Sequence, residues 1–272
     1  MTEIKPGQSI ELLKHLHILT RDGQMNQDSR RKLKQVYHLC QFIEPLLKQI
    51  EQSPTIVDHG AGKSYLGFIL YDLYLKNLQT NSTIFGIETR DDLVNKSKEL
   101  AQKLGFERMN FLNLSVADSI TSELLPKTID MVTALHACDT ATDDAITFAL
   151  EKNAKFIVLV PCCQAEVASL LRKNKMKDLS RTHLTEIWRH SIHTREFGAH
   201  ITNVLRCMQL EANGYQVTVT ELVGWEHSMK NELIIAELKN KPAKKMAEKI
   251  SFILDEMGLN ELKNRYIPKQ LE

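Results

Sequence analysis

The segment Val57-Asp58-His59-Gly60-Ala61-Gly62-Lys63-Ser64 puts an acid, a glycine pair and a lysine within one short stretch. Three nucleotide chemistries compete for such a loop. A P-loop needs a glycine five residues before the Gly-Lys pair, and that position is Val57. A dinucleotide fingerprint needs a third glycine at 65, and that position is Tyr65. What fits is a strand ending in an acid, followed by Gly-x-Gly at the start of a helix. Gly60, Ala61 and Gly62 would form a tight turn that admits a ligand close to the backbone. Asp58 would hold a cationic amino group, as in the methionine moiety of S-adenosylmethionine. A pyrophosphate would gain nothing from that carboxylate.

Two further acids follow later strands. Glu88 closes Ile84-Phe85-Gly86-Ile87-Glu88, placed to accept hydrogen bonds from two ribose hydroxyls. Asp118 follows the next strand, where it could take an adenine amino group. The plainer alternative is that Asp58 and Glu88 only cap helices; three acids after three successive strands argue against it.

A second group of reactive side chains ends the next two strands, at Leu135-His136-Ala137-Cys138-Asp139 and Val160-Pro161-Cys162-Cys163-Gln164. Ligands of open parallel sheets bind beyond the carboxyl ends of the strands. His136, Asp139, Cys162 and Cys163 are therefore the candidate catalytic residues. His136 is the first candidate for a base, since imidazole takes a proton near neutrality; a histidine held in a strand end is the alternative. The cysteines allow three readings: a thiolate nucleophile of the kind that adds to a pyrimidine, a metal ligand, or a small apolar wall. His-x-Cys with an adjacent Cys-Cys is poor zinc spacing, so no metal is assigned. No Asp/Asn-Pro-Pro-aromatic motif follows the fourth strand, which argues against the usual amine methylation of bases.

These residues need a scaffold, and the pattern around them supplies one. Short apolar runs at Thr55–Asp58, Thr83–Glu88, Met109–Leu114, Met131–Leu135 and Phe156–Val160 alternate with helical stretches at Asp91–Leu104 and Thr142–Lys152. A helix over Ile201–Ala212 stops at Asn213-Gly214, and strands at Tyr215–Val223 and Glu232–Leu238 follow. The expected fold is α/β: a Rossmann-like class I methyltransferase sheet with a terminal antiparallel hairpin, plus N-terminal helices and a C-terminal helical tail. Two amphipathic helices precede the sheet, the second over Arg30–Gln52. The expected organisation is a helical extension over 1–52, the main domain over 53–240 and a helical tail over 241–272.

The whole chain sets wide bounds. Its 272 residues suffice for one large domain. Thirty-five basic against thirty-four acidic side chains give no global attraction to nucleic acid or membrane, so any such argument must be local. No apolar run approaches a membrane span, and the N-terminus does not read as a signal peptide. Five cysteines in a chain with an ample core read as thiols of a reducing cytosol, not a disulfide framework. Oligomeric state is not legible.

The stretches "VDHGAGKSYLGFIL", "ALHACDTATDDAI", "VLVPCCQAEV" and "EHSMKNELIIAEL" resemble the class I methyltransferase-domain family with a Gly-Ala-Gly-Lys loop, itself remotely similar to tRNA 2′-O-methyltransferases. The resemblance runs from about Arg30 to Leu238. It implies an S-adenosylmethionine cofactor at Asp58, Gly60, Gly62, Glu88 and Asp118. Ser64 stands where the family usually has glycine, so altered packing is expected there without loss of binding. The loop containing Glu226, His227, Lys230 and Asn231 resembles the family's Glu-His-x-x-Lys-Asn stretch and is expected to face substrate; a solvated turn is the alternative.

Basic residues interleaved with aromatics suggest that substrate. Arg30-Arg31-Lys32-Leu33-Lys34 opens the second helix, and Arg172 to Arg195 contains Lys175, Lys177, Arg181 and Trp188. Such a set suits a phosphate backbone, with Trp188 stacking on a base. RNA is therefore the expected acceptor; a protein or small-molecule acceptor, or a non-catalytic cofactor-binding module, are the alternatives.

Overall fold

The computed structural model describes residues 4–51, 53–78, 80–162, 164–174, 183–222 and 231–268. Seven strands form one sheet: β1 Thr55–His59, β2 Thr83–Glu88, β3 Met109–Asn113, β4 Met131–Leu135, β5 Phe156–Val160, β6 Tyr215–Glu221 and β7 Glu232–Leu238. Their spatial order is β3-β2-β1-β4-β5-β7-β6. The first five are parallel; β7 runs antiparallel to both β5 and β6. This is the Rossmann-like methyltransferase sheet with its terminal hairpin, and the strand order reverses between β1 and β4.

Alternation along the strands supplies two faces. Ile56, Ile84, Met131 and Val158 pack with one hydrophobic cluster, while Val57, Ile87, Val132 and Leu159 pack with another. Helices α1 (Ile10–His15), α2 (Gln27–Leu47) and α3 (Tyr65–Leu70) cover the first face. Leu12, Leu33, Leu39 and Ile43 of α1 and α2 lie in the same cluster as Ile56 and Phe68. Helix α4 (Asp91–Leu104) follows β2 and ends on Gly105 at φ 66°. Helices α5 (Val116–Thr121) and α6 (Thr140–Glu151) follow β3 and β4. A third cluster joins α7 (Glu166–Asn174), α8 (Ser191–Ala212), α9 (Lys244–Glu256) and α10 (Lys263–Tyr266).

Two helices start three or more residues before their expected bounds, each for a local reason. Helix α2 begins at Gln27 because Asn26 caps it, its side chain accepting from the Ser29 amide at 2.8 Å. Helix α8 begins at Ser191, ten residues before the expected start. Its first half lacks an apolar stripe because it meets α7 through a close approach: a Cβ on Gly198 would lie 2.7 Å from Ala168.

Candidate active site

The glycine loop is built around one buried carboxylate. Asp58, at the end of β1, is only 3% exposed. Thr133 of the neighbouring β4 donates its hydroxyl to Asp58 Oδ1 at 3.0 Å, and Ser64 donates to Oδ2 at 3.4 Å. Burial pushes the Asp58 pKa up to about 6, against these hydrogen bonds and one from the Gly67 backbone. Among the described residues, no cationic side chain is hydrogen-bonded to it. The next residues turn through left-handed backbone at Gly60 (φ 67°) and Gly62 (φ 57°). Ser64 is also left-handed, at φ 50°, a conformation that costs a non-glycine residue about 1 kcal/mol. That is the physical reason a glycine suits this position; here the hydroxyl contact with Asp58 offsets the strain. Gly67 completes the turn by close approach, since a Cβ there would lie 2.5 Å from Ser64 Oγ.

Glu88 ends the adjacent β2 and is 8% exposed. The Gly62 amide donates to its Oε2 at 2.8 Å, tying the glycine loop to β2. Arg90 grips both carboxylate oxygens, Nε to Oε1 and Nη2 to Oε2, each at 3.1 Å. Burial alone would raise this carboxylate, but the Arg90 side chain, Arg90 amide and Gly62 amide together bring its pKa down to about 2.

Asp58, Gly60, Ala61, Gly62 and Arg90 line a cavity of about 310 Å³ that Leu135 and His136 close from β4. Its opposite wall is Ile18 with Lys32, Gln35 and Val36 of α2. Lys32, read from the sequence as part of a nucleic-acid contact, thus faces this cavity. The volume is at the small end of ligand sites. A desolvated carboxylate without a cation, beside a cradle of left-handed glycines and a second acid, fits a nucleoside carrying an ammonium group. Asp118 is different. It is exposed in the first turn of α5, its amide donating to the N-cap Ser115 Oγ at 3.2 Å and its carboxylate accepting from that hydroxyl at 2.5 Å.

Beyond β4, the chain turns at His136, whose φ is 58° and whose amide donates to the Val160 carbonyl at 3.0 Å. The imidazole reaches the cavity and its pKa lies below the ordinary value through desolvation. Cys138 Sγ and Cys162 Sγ approach to 3.1 Å, and both lie near the His136 carbonyl oxygen, at 3.7 and 3.5 Å. Among the described residues, no group of three or more His, Cys, Asp or Glu could hold a metal ion; Cys163 lies outside them.

Asp139, taken from the sequence as a candidate catalytic acid, serves a visible structural role. Its Oδ1 accepts from the amides of Ala165 at 3.1 Å and Glu166 at 3.4 Å, buckling the β4 loop to the start of α7. Its carbonyl accepts from Arg206 Nη2 at 2.8 Å. Arg206 is fully buried and paired bidentately with Asp143 at 2.7 and 3.0 Å. It also donates to Asn203 Oδ1 at 3.1 Å, where Gln164 joins at 2.9 Å. Sequence reading missed this network. The signal was a lone arginine beside Leu205 and Leu210, on the apolar side of α8.

Of the expected substrate residues, Lys175, Lys177, Glu226, His227 and Lys230 lie outside the described residues. Asn231 is buried at the start of β7, its carbonyl accepting from the Leu222 amide at 2.7 Å. Trp188 corrects an expectation: it is 6% exposed and meets Phe197 edge-on at 5.2 Å, so its ring is in the helical core and offers no stacking platform. Two further cavities carry basic side chains. One, of about 390 Å³, shares Lys63 with the first and adds His15, His17, Lys96 and Lys103 together with the acidic Glu99. The other, of about 220 Å³, is lined by Arg172, Ser191 and Arg195 beside Ala165.

The family described as "Methyltransferase domain" matches residues 31–170. A mouse protein, "Glutathione S-transferase C-terminal domain-containing protein", is 24% identical over 154 residues, 57% of this chain and 22% of its own length. Its human counterpart is 23% identical over the same shares. The chain thus spans about a fifth of the curated relatives it matches. A crystal structure of magnesium protoporphyrin IX methyltransferase from Synechocystis PCC 6803, with bound SAH, superposes with a TM-score of 0.50 at 14% identity, covering 84% of this chain and 95% of that one. The likeness is one of fold.

Proposed function

The chain belongs to the methyltransferase-domain family, and from that premise we propose that it transfers a methyl group from S-adenosylmethionine to RNA. The buried Asp58 carboxylate carries the cofactor half of this reading. It would hold the ammonium of the methionine moiety, converting an expensive lone buried charge into a charge-assisted pair. Glu88 would accept from the ribose hydroxyls once Arg90 releases it, and Asp118 would turn from its cap toward the adenine. Bound S-adenosylmethionine supplies an electrophilic methyl on a sulfonium. The chain's task is then to position an acceptor and exclude water, which can be worth about 7–11 kcal/mol. His136, at the cavity and held neutral by desolvation, would accept a proton from a hydroxyl or amine acceptor.

The acceptor half rests on charge. Basic side chains in the cavities beside the glycine loop and beside the α7–α8 crossing suit a phosphate chain laid past the site. A ribose 2′-hydroxyl of tRNA, the acceptor of the 2′-O-methyltransferases that the sequence remotely resembles, would be such a target. The test is transfer of labelled methyl into fractionated cellular RNA and protein. Label in RNA, with an affinity that falls by about 0.7–0.9 log per phosphate contact for each log of salt, is the expected result. Label only in protein or in small molecules would replace the acceptor while leaving the cofactor site standing.

A further inference from the structure

We propose that Cys138 and Cys162 form a reversible dithiol–disulfide pair on the acceptor side of the candidate active site. The two thiols come from different strand ends, but the sheet delivers them to one place. Leu135 and Val160 are register partners in the parallel β4–β5 pair, and the His136 amide continues that pairing onto the Val160 carbonyl. That pairing sets the ends of β4 and β5 side by side, so residues two or three positions beyond them can meet. The sulfurs already touch, at 3.1 Å. Cys138 is exposed and Cys162 half-buried, so a small disulfide can reach the first while the second waits beside it. The other described cysteines differ: Cys40 is fully buried in α2 and Cys207 lies on α8.

The exchange balances without a metal or a further oxidant. The Cys138 thiolate attacks one sulfur of a low-molecular-weight disulfide, expelling one small thiolate. The Cys162 thiolate then attacks the Cys138 sulfur of that mixed disulfide and expels the second. Two protein thiols are oxidised, one small disulfide is reduced to two small thiols, and the two protons lost by Cys138 and Cys162 are taken up by the expelled thiolates. The bond would remove both S–H groups from the His136 carbonyl and clamp the left-handed turn that carries His136. Its consequence for methyl transfer rests on the function proposed above; its formation does not.

The test uses the full chain, equilibrated with mixtures of oxidised and reduced glutathione, quenched in acid, unfolded, alkylated and mapped by mass spectrometry. The expected result is a Cys138–Cys162 cross-linked peptide pair that appears in oxidised glutathione and disappears on reduction. Cys163→Ser should retain it, while Cys138→Ser and Cys162→Ser should each abolish it. Free, alkylated Cys138 and Cys162 in excess oxidised glutathione would overturn the proposal, as would a bridge from either residue to Cys163. Neither thiol lines the cofactor cavity, so the oxidised protein should bind S-adenosylhomocysteine with unchanged affinity. Loss of that binding on oxidation would overturn the acceptor-side placement. The cross-link is read whether or not any acceptor is methylated.

Discussion

Asp58→Asn should make the ligand-free protein more stable and the cofactor site inoperative. The carboxylate is 3% exposed, and burial raises its pKa from 3.8 to about 6. At 1.36 kcal/mol per pH unit, keeping it ionised in the fold costs about 3 kcal/mol. The sign follows from linkage. Below pH 4 the carboxyl is protonated in both the folded and unfolded chains and exacts no penalty. As pH rises from 4 to 6 the unfolded chain ionises first, and stability is lost; above about pH 6 the loss is complete. Asparagine keeps the shape, accepts from Thr133 and can donate to Ser64, but carries no charge. Urea denaturation of both proteins from pH 4 to 8 should therefore give curves that meet at the acid end. They should separate to an advantage of about 3 kcal/mol for the variant above pH 7. S-adenosylhomocysteine should bind wild type about tenfold more weakly at pH 5 than at pH 7, and should not bind the variant measurably by calorimetry. A variant less stable than wild type at pH 8, or a difference independent of pH, would refute the account of Asp58 as a desolvated anion awaiting a cation.

His59 should act in the opposite direction. It is 5% exposed, neither ring nitrogen has a hydrogen-bond partner among the described residues, and desolvation brings its pKa down to about 4. Stability present above pH 6.5 should thus be lost as pH falls toward 4, by about 3 kcal/mol, and His59→Phe should abolish that loss in the same denaturation series. Gly67→Ala places a methyl against Ser64 Oγ; calorimetry should show weaker S-adenosylhomocysteine binding, and stability should fall by about 1–3 kcal/mol. Trp188→Ala should lower stability by about 3–5 kcal/mol with no change in the salt slope of RNA binding, since the ring is core. Arg206→Met leaves Asp143 buried and unpaired and should cost about 3–5 kcal/mol, most of which the double variant with Asp143→Leu should recover.

The parallel strands were legible because their apolar runs are strand-sized and bounded by turn signals: β2, β4 and β5 have the expected bounds, and β1 and β3 end within one residue of them. The glycine loop was legible for a related reason. Its chemistry is local, and the failure of the P-loop and dinucleotide spacings can be checked by counting residues. Spacing also pointed to His136 and the two cysteine-bearing strand ends as neighbours, since strand order follows from the alternating pattern.

What the sequence by itself did not determine is which side of each element meets which partner. Lys32 reads as one cation in a basic run until α2 folds across the sheet and turns it into the cavity wall. Trp188 reads as a stacking platform until the α7–α8 layer closes over it. Asp139 and Arg206 are 67 residues apart, and their hydrogen bond exists only because α8 crosses behind the β4 loop. The pKa of Asp58 depends on how completely the fold excludes water, and the hydroxyls of Thr133, from the neighbouring strand, and of the left-handed Ser64 act against that shift. Periodicity encodes an element's type and its apolar face. Burial, charge pairing and contact between thiols from separate strands are properties of the packed chain.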